Sequence, residues 1–276
     1  MKEQSELLPT AMNMLLTTSR TFYIPISRLT RGLKEAVASA YLCMRAIDEI
    51  EDHEQLPQAV KVQLLQGVGR MLRSPERIAE LAEMFAPHRS ELPPVTLRLE
   101  DWVKLCPQAI APRVVERTAV MAEGMAGWVE KEWRIRTKDD LDDYTYCVAG
   151  AVGEMLSDLW LWHDGTVTDY DKAVAFGRGL QAVNILRNHI EDRVRGVNFF
   201  PDRWGPEDML TYARGNLEKA DSYILDLRPG PALDFCSIPL ALAHGTLDAI
   251  AQGKKKLSRL DVIRIVSRVA GTSQGM

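Results

Sequence analysis

The stretch 179–201, GLQAVNILRNHIEDRVRGVNFFP, decides how the rest of the chain is read. Asn184, Asn188 and Asp192 recur every four residues, a spacing that in an α-helix stacks oxygen-bearing side chains along one face, about 6 Å of rise apart. Such a row suits Mg²⁺, which takes oxygen ligands. An earlier segment, Arg45-Ala-Ile-Asp48-Glu-Ile-Glu-Asp52, repeats the spacing with two carboxylates. The expectation is that the two rows face each other across a shared cavity.

Working outward, helical spacing persists along the chain. Ala36, Ala38, Ala40, Tyr41, Met44, Ile47 and Glu51 predict a buried helix over 33–51 that carries Asp48 and Asp52 at its C-terminal end. Carboxylates there oppose the helix dipole unless a cation compensates, and a metal would do so. Further helices are expected over 56–72, 113–133, from 144 to 162, 172–195, from 204 to 218, 232–250 and 257–269. Asp139 to Asp143 is read as the cap of the helix that starts near Tyr144. Gly150 and Gly153 inside that helix cost about 1 kcal/mol each relative to alanine, so a local reason is expected, such as a bulky ligand lying against it. Thr17-Thr-Ser-Arg-Thr-Phe22 interrupts the first helix, as a phosphate cradle or a plain helix cap. No convincing period-two strand is present, so the fold class is all-α, a single domain over 1–276.

Composition narrows the function. The chain has 276 residues, 46% of them hydrophobic, enough for a substantial core. A net charge of −4 argues against a nucleic-acid binder that works by bulk electrostatics. The four cysteines, Cys43, Cys106, Cys147 and Cys236, have no CxxC pair or neighbouring histidine, and read as buried thiols of a reducing cytosol. The N-terminus lacks an apolar signal-peptide core, and no apolar run approaches the roughly 20 residues that span a bilayer. A soluble cytoplasmic protein without a C-terminal membrane anchor is expected, with peripheral, transient membrane contact reasonable for a greasy substrate.

Two oxygen-rich helix faces suit a substrate carrying diphosphate: a few protein oxygens hold Mg²⁺ while phosphate and water complete its shell. Arg20, Arg45 and Arg187 could pair with the remaining phosphate oxygens. A central apolar cavity capped in this way would bind an isoprenoid diphosphate and keep water from a carbocation.

These segments resemble the squalene/phytoene synthase family, the head-to-head trans-isoprenyl diphosphate synthases, over nearly the whole chain. Ser19-Arg-Thr-Phe22 is similar to that family's N-terminal phosphate-binding segment, and 41–52 to its first aspartate-rich motif with the tyrosine and arginine ahead of it. Residues 144–153 resemble the central tyrosine-containing helix, and 180–192 the second aspartate-rich motif. Lys255 to Ser258 resembles the entry to the last helix. The resemblance implies a helical isoprenoid synthase (class I terpenoid synthase) fold. Three Mg²⁺ ions would be held by Asp48, Asp52, Asn188 and Asp192. Diphosphate would be bound by Ser19, Arg20, Tyr41, Arg45, Gln181, Asn184 and Arg187. It implies catalytic roles for Tyr144, Arg45 and Arg187, and a substrate such as farnesyl or geranylgeranyl diphosphate. Two such molecules would condense through a cyclopropylcarbinyl diphosphate to a squalene-, dehydrosqualene- or phytoene-like product. NADPH serves only the squalene synthases of the family, and no nucleotide-binding fingerprint is present, so its use stays open.

The sequence departs from the family pattern where the second motif usually begins with aspartate, since that position is Asn188. Phe199 and Phe200 replace a common tyrosine, and Val197 a common arginine. These departures put the second half-reaction in doubt and leave two alternatives. One is a member that ionises a single prenyl diphosphate and quenches, cyclises or transfers the cation; the other is a non-catalytic helical partner protein.

Overall fold

The computed structural model describes residues 2–272, with side chains described for 6–19 and 22–269. Among the described residues every regular element is helical, and no helix is long and apolar enough to cross a membrane. The chain divides into two compact units, residues 1–132 and 133–276.

The first unit holds α1 (Lys2–Thr18), α2 (Arg20–Ser27), α3 (Leu33–Glu51), α4 (Gln58–Leu72), α5 (Leu81–Phe85), α6 (Pro94–Leu97), α7 (Leu99–Leu105) and α8 (Ala111–Glu130). The centre of this unit is α3. Gly32, at φ +87°, lies in the left-handed region that glycine tolerates, and its N–H donates to Glu35 Oε2 at 2.6 Å, which starts the helix. Ala36, Ala38, Ala40 and Ala46 are fully or almost fully buried, so neighbouring helices come close around it. Two buried hydroxyls fix its position. Ser39 Oγ donates to the carbonyl of Trp102 at 2.7 Å, and Thr96 Oγ1 donates to the carbonyl of Ala46 at 2.9 Å. At the far end Lys61, buried on α4, donates Nζ to the Glu51 carbonyl at 2.7 Å and so satisfies one of the last orphan acceptors of the helix.

The second unit holds α9 (Lys138–Thr145), a single π-helical turn (Tyr146–Gly150), α10 (Ala151–Asp164), α11 (Tyr170–Val194), α12 (Pro206–Ile224), α13 (Pro231–Ala251) and α14 (Arg259–Thr272). Asp139 to Asp143 lies inside α9 and does not cap a later helix. The cap is Thr137, whose Oγ1 accepts from the Asp140 N–H at 3.1 Å while Asp140 Oδ2 accepts from the Thr137 N–H. Here a first turn rich in carboxylates is favoured by the helix dipole.

The glycines of the α9–α10 segment have a reason other than the ligand expected above. A Cβ on Gly153 would stand 2.0 Å from the Ala173 carbonyl oxygen of α11, and one on Gly177 of α11 would stand 2.1 Å from the carbonyl oxygen of Ala149. Bare backbone on both partners therefore allows α11 to lie against the π-turn and α10 at a distance no side chain permits. Gly179 repeats this toward α12, where a Cβ would meet Leu217 Cδ2 at 2.6 Å.

Candidate functional site

The C-terminal end of α3 gathers acid. Asp48, Glu51 and Asp52 each offer a carboxylate oxygen within 4.8 Å of the others. Asp48 and Asp52 are one turn apart, as expected. Glu51, three residues from Asp48 on the same side, joins them and was missed by the i, i+4 reading; the i, i+3 spacing was the signal. Glu51 is buried, Asp48 half-buried and Asp52 exposed. Arg45 reaches forward along the helix with Nη1 on Asp48 and Nη2 on Glu49, the latter at 2.5 Å. Even so, burial, and next the charge of Asp52, push the Asp48 carboxyl up to about 7, outweighing the pull of Arg45. Burial and the crowding of carboxylates thus favour the protonated form of Asp48 in the metal-free protein.

Tyr41, one turn before Arg45, has its ring 5.2 Å from that of Phe22. Burial raises its phenol above the ordinary range, while a hydrogen bond with Ser19 pulls the other way. Ser19 is also the N-cap of α2, its Oγ accepting from the Phe22 N–H at 3.4 Å. The cap reading of this segment is therefore observed, and Ser19 and Tyr41 lie in hydrogen-bonding contact. The side chain of Arg20 lies outside the described residues.

The last turns of α11 hold a different set of groups. Asn184 Oδ1 accepts from Arg187 Nη2 at 2.6 Å and from Asn188 Nδ2 at 3.3 Å, and Asn188 Oδ1 accepts from Arg187 Nε at 3.1 Å. Both amide oxygens are thus occupied by one guanidinium. Asp192, 5% exposed, pairs with Arg195 at 2.5 Å. Gly196, at φ +83°, closes the helix: the Val197 N–H donates to the Asp192 carbonyl and the Gly196 N–H to the Arg193 carbonyl, a Schellman arrangement. The Asp192 backbone is thereby fixed at the place where the helix stops. Gln181, half-buried, lies one turn before Asn184.

Tyr144 is 4% exposed, and its ring stacks on Phe199 at 4.9 Å between centroids. The phenylalanine that departs from the family pattern is therefore the packing partner of the tyrosine expected to act. In the π-turn Tyr146 donates its hydroxyl to Glu154 Oε2 at 3.0 Å.

Chemically, the α3 end is a set of three hard carboxylate donors close together, which fits a divalent cation such as Mg²⁺. The Asn184, Asn188 and Asp192 row offers one carboxylate and two amide oxygens, with Arg187 and Arg195 bound to it, an arrangement that fits an anion at least as well as a cation.

Comparison with known proteins gives this geometry its context. A family model described as squalene/phytoene synthase matches residues 15–207. The squalene synthase of Rattus norvegicus is 30% identical over 272 residues, covering 89% of this chain and 64% of that protein. The solved structure of TcSQS with a bound ligand superposes with a TM-score of 0.79 at 23% identity, covering 96% of this chain and 86% of the other. A dehydrosqualene synthase solved with a ligand gives 0.72 at 17% identity, covering 100% and 99%. At such identities the structural likeness speaks for the fold alone, which is a terpenoid synthase fold. The chain spans about 64% of the length of the first curated relatives it matches.

Proposed function

The chain belongs to the squalene/phytoene synthase family, and from that premise we propose that it is a Mg²⁺-dependent prenyltransferase joining two prenyl diphosphates head to head. The observation that carries this reading is the carboxylate trio Asp48, Glu51 and Asp52, gathered within 4.8 Å inside the family-matched span. Asp48 and Asp52, with Glu51, would hold Mg²⁺, and Asp192 with Asn188 would serve the same purpose on α11. Bound Mg²⁺ would supply the charge stabilisation that a departing diphosphate needs. In the first unit Arg45 would orient diphosphate oxygens together with Ser19, Arg20 and Tyr41, and on α11 Arg187 would do so together with Gln181 and Asn184. For Arg187 this requires exchanging its two asparagine oxygens for phosphate oxygens, a trade that favours the charged acceptor. The Tyr144 ring, stacked on Phe199, presents an aromatic face to the reacting carbons.

A second reading has its own support. Asn188 contributes no charge, Phe199 no hydroxyl and Val197 no cation. Those residues favour ionisation of a single prenyl diphosphate, followed by quenching with water, cyclisation or transfer to another acceptor.

One experiment separates the two. Purified protein is incubated with farnesyl or geranylgeranyl diphosphate and Mg²⁺, with and without NADPH, and the organic extract is analysed. A C30 or C40 hydrocarbon or a cyclopropylcarbinyl diphosphate is expected; a C15 or C20 alcohol or cyclic product establishes the second reading. No consumption of either substrate, together with a melting temperature indifferent to Mg²⁺ and diphosphate, overturns both.

A further inference from the structure

The chain is acidic overall, but its last described segment is not. Between Gly253 and Val269 stand Lys254, Lys255, Lys256, Arg259, Arg264 and Arg268, against the single carboxylate Asp261. That carboxylate is committed locally, since Asp261 Oδ2 accepts from Ser258 Oγ at 2.6 Å in the cap of α14. The helix packed against this segment, α13, adds one nearby exposed acid, Asp248, in its last turn. Six cations therefore share a short stretch of surface with two carboxylates, on a protein whose net charge is −4.

The same segment is apolar on two sides. The inner side of α14 packs on α13, where Ile265 Cδ1 occupies the space left by the missing Cβ of Gly245. At 100° per residue, Leu260 and Ile263 fall on the side opposite Ile265, with Arg259 and Arg264 flanking them. Leu260 is 65% exposed and Ile263 56%. A lone exposed leucine is ordinary on a protein surface. Leu225 and Val167 are also exposed, but Leu225 precedes Asp226, and Val167 lies between Asp164 and Asp169. On α11 the exposed pair Ile190 and Val194 also stands in helical register beside Arg187, Arg193 and Arg195, but Glu191 and Asp192 lie among those arginines. On α14 the exposed apolar pair coincides with a cluster in which cations far outnumber carboxylates. A helix surface with an apolar strip edged by arginines, preceded by a lysine turn, has the chemistry of an interface-plane helix: acyl chains take the apolar residues and lipid phosphates take the cations.

We propose that the outer face of α14, together with the Lys254–Lys256 turn, docks on the surface of an anionic lipid bilayer. This stands on surface chemistry and does not depend on the reaction the protein catalyses. Charge complementarity calls for an anionic occupant, and the exposed apolar pair beside the cations calls for one that also offers acyl chains, which a bilayer of anionic lipid supplies together; a second copy is an outcome of the test.

The test is sedimentation of the full chain with vesicles of phosphatidylcholine, with or without about 30% phosphatidylglycerol. The protein is expected to sediment with the anionic vesicles alone and to be released at about 0.5 M salt. Replacing the turn by Lys254→Ala, Lys255→Ala and Lys256→Ala together is expected to weaken binding about a hundredfold. Leu260→Ser with Ile263→Ser is expected to weaken it about fivefold. Unchanged circular dichroism and melting temperature verify that both variants fold. Equal binding to neutral vesicles, no binding to anionic ones, or indifference to both sets of substitutions overturns the proposal. So does a concentration-dependent dimer that the Leu260/Ile263 variant abolishes without any vesicle binding. Turnover on detergent-dispersed prenyl diphosphate is expected to be the same in both variants as in the original chain. Vesicle binding by a protein inactive on such substrates would count against the prenyltransferase reading and leave the docking face standing.

Discussion

The ends of α3 and α11 carry the same i, i+4 spacing and different charge. On α3, Asp48, Glu51 and Asp52 crowd within 4.8 Å, and Arg45 divides its guanidinium between Asp48 and Glu49. On α11 the single carboxylate of the row, Asp192, pairs with Arg195, and Arg187 occupies the oxygens of Asn184 and Asn188. The first end gathers three carboxylates, and the second sets one carboxylate beside two amide oxygens that a guanidinium already holds. The same spacing therefore builds two different donor sets, and the residue types decide which of them suits a cation. The two helices also differ in how they are held. Small side chains and two buried hydroxyls place α3, whereas α11 rests on direct backbone contact at Gly153 and Gly177.

The sharpest way to break this contrast is Asp48→Asn. With the central carboxylate gone, turnover is expected to fall by about 1,000-fold or more while circular dichroism stays unchanged. Metal-free stability should move the other way. The folded protein holds the Asp48 proton up to about 7, so the native state binds more protons than the unfolded chain between roughly pH 4 and 7 and loses stability as pH rises through that window. An asparagine keeps the neutral form throughout. The variant should therefore melt about 2 °C higher than the original at pH 8 without metal, and no higher at pH 4. Near-normal activity, or a lower melting temperature at pH 8, would remove α3 as the charged end.

The support of α11 is probed by Gly177→Ala. The new Cβ would stand 2.1 Å from the Ala149 carbonyl oxygen, and backbone cannot yield as a flexible side chain can. A loss of about 3 kcal/mol is expected, read as a melting temperature lower by roughly 9 °C. A smaller effect belongs to Glu51→Gln, which removes one of three carboxylates at the α3 end. The Mg²⁺ concentration for half-maximal activity should rise about tenfold, with the maximal rate much less affected. An unchanged Mg²⁺ requirement would reduce the trio to the Asp48/Asp52 pair.

Much of this was legible in the sequence, for reasons particular to each element. The run of small and apolar residues gave α3 its observed bounds, because that helix is buried around much of its girth and carries Asp48 and Glu51 in its last turn. The end of α11 was legible through Gly196, a residue that marks a helix C-terminus. Gly150 and Gly153 were noticed but misread, since the partner that needs their missing side chains is 20 or more positions away and periodicity reports only on its own helix. The π-turn at Tyr146–Gly150 was invisible for a similar reason: it is one extra residue in a turn, with no composition of its own. At the site, the candidate residues on each helix lie where their spacing put them. Glu51 and the Arg187–Asn184 pair, both at i, i+3, escaped because only the i, i+4 spacing was followed, and the Arg187–Asn188 pair escaped because adjacent residues are not usually read as partners.

The subtlest effect is expected from Asn188→Asp, which makes the end of α11 more like that of α3. The new carboxylate keeps an acceptor for Arg187 Nε but loses the N–H that now donates to Asn184 Oδ1. Asn184 Oδ1 retains Arg187 Nη2, so local order should survive. One negative charge is added beside Arg187, and a carboxylate holds that guanidinium more firmly than an amide does. Part of the added charge is therefore neutralised at once, and the Mg²⁺ concentration for half-maximal activity should fall only about threefold, less than the tenfold rise expected from Glu51→Gln. A much larger fall would mean that Arg187 leaves the row when metal arrives, so that the α11 end is balanced only in the metal-free protein. The product tells the rest: more head-to-head hydrocarbon would mean that asparagine weakened that reaction, and loss of the original product would mean that the uncharged amide is what the native chemistry requires.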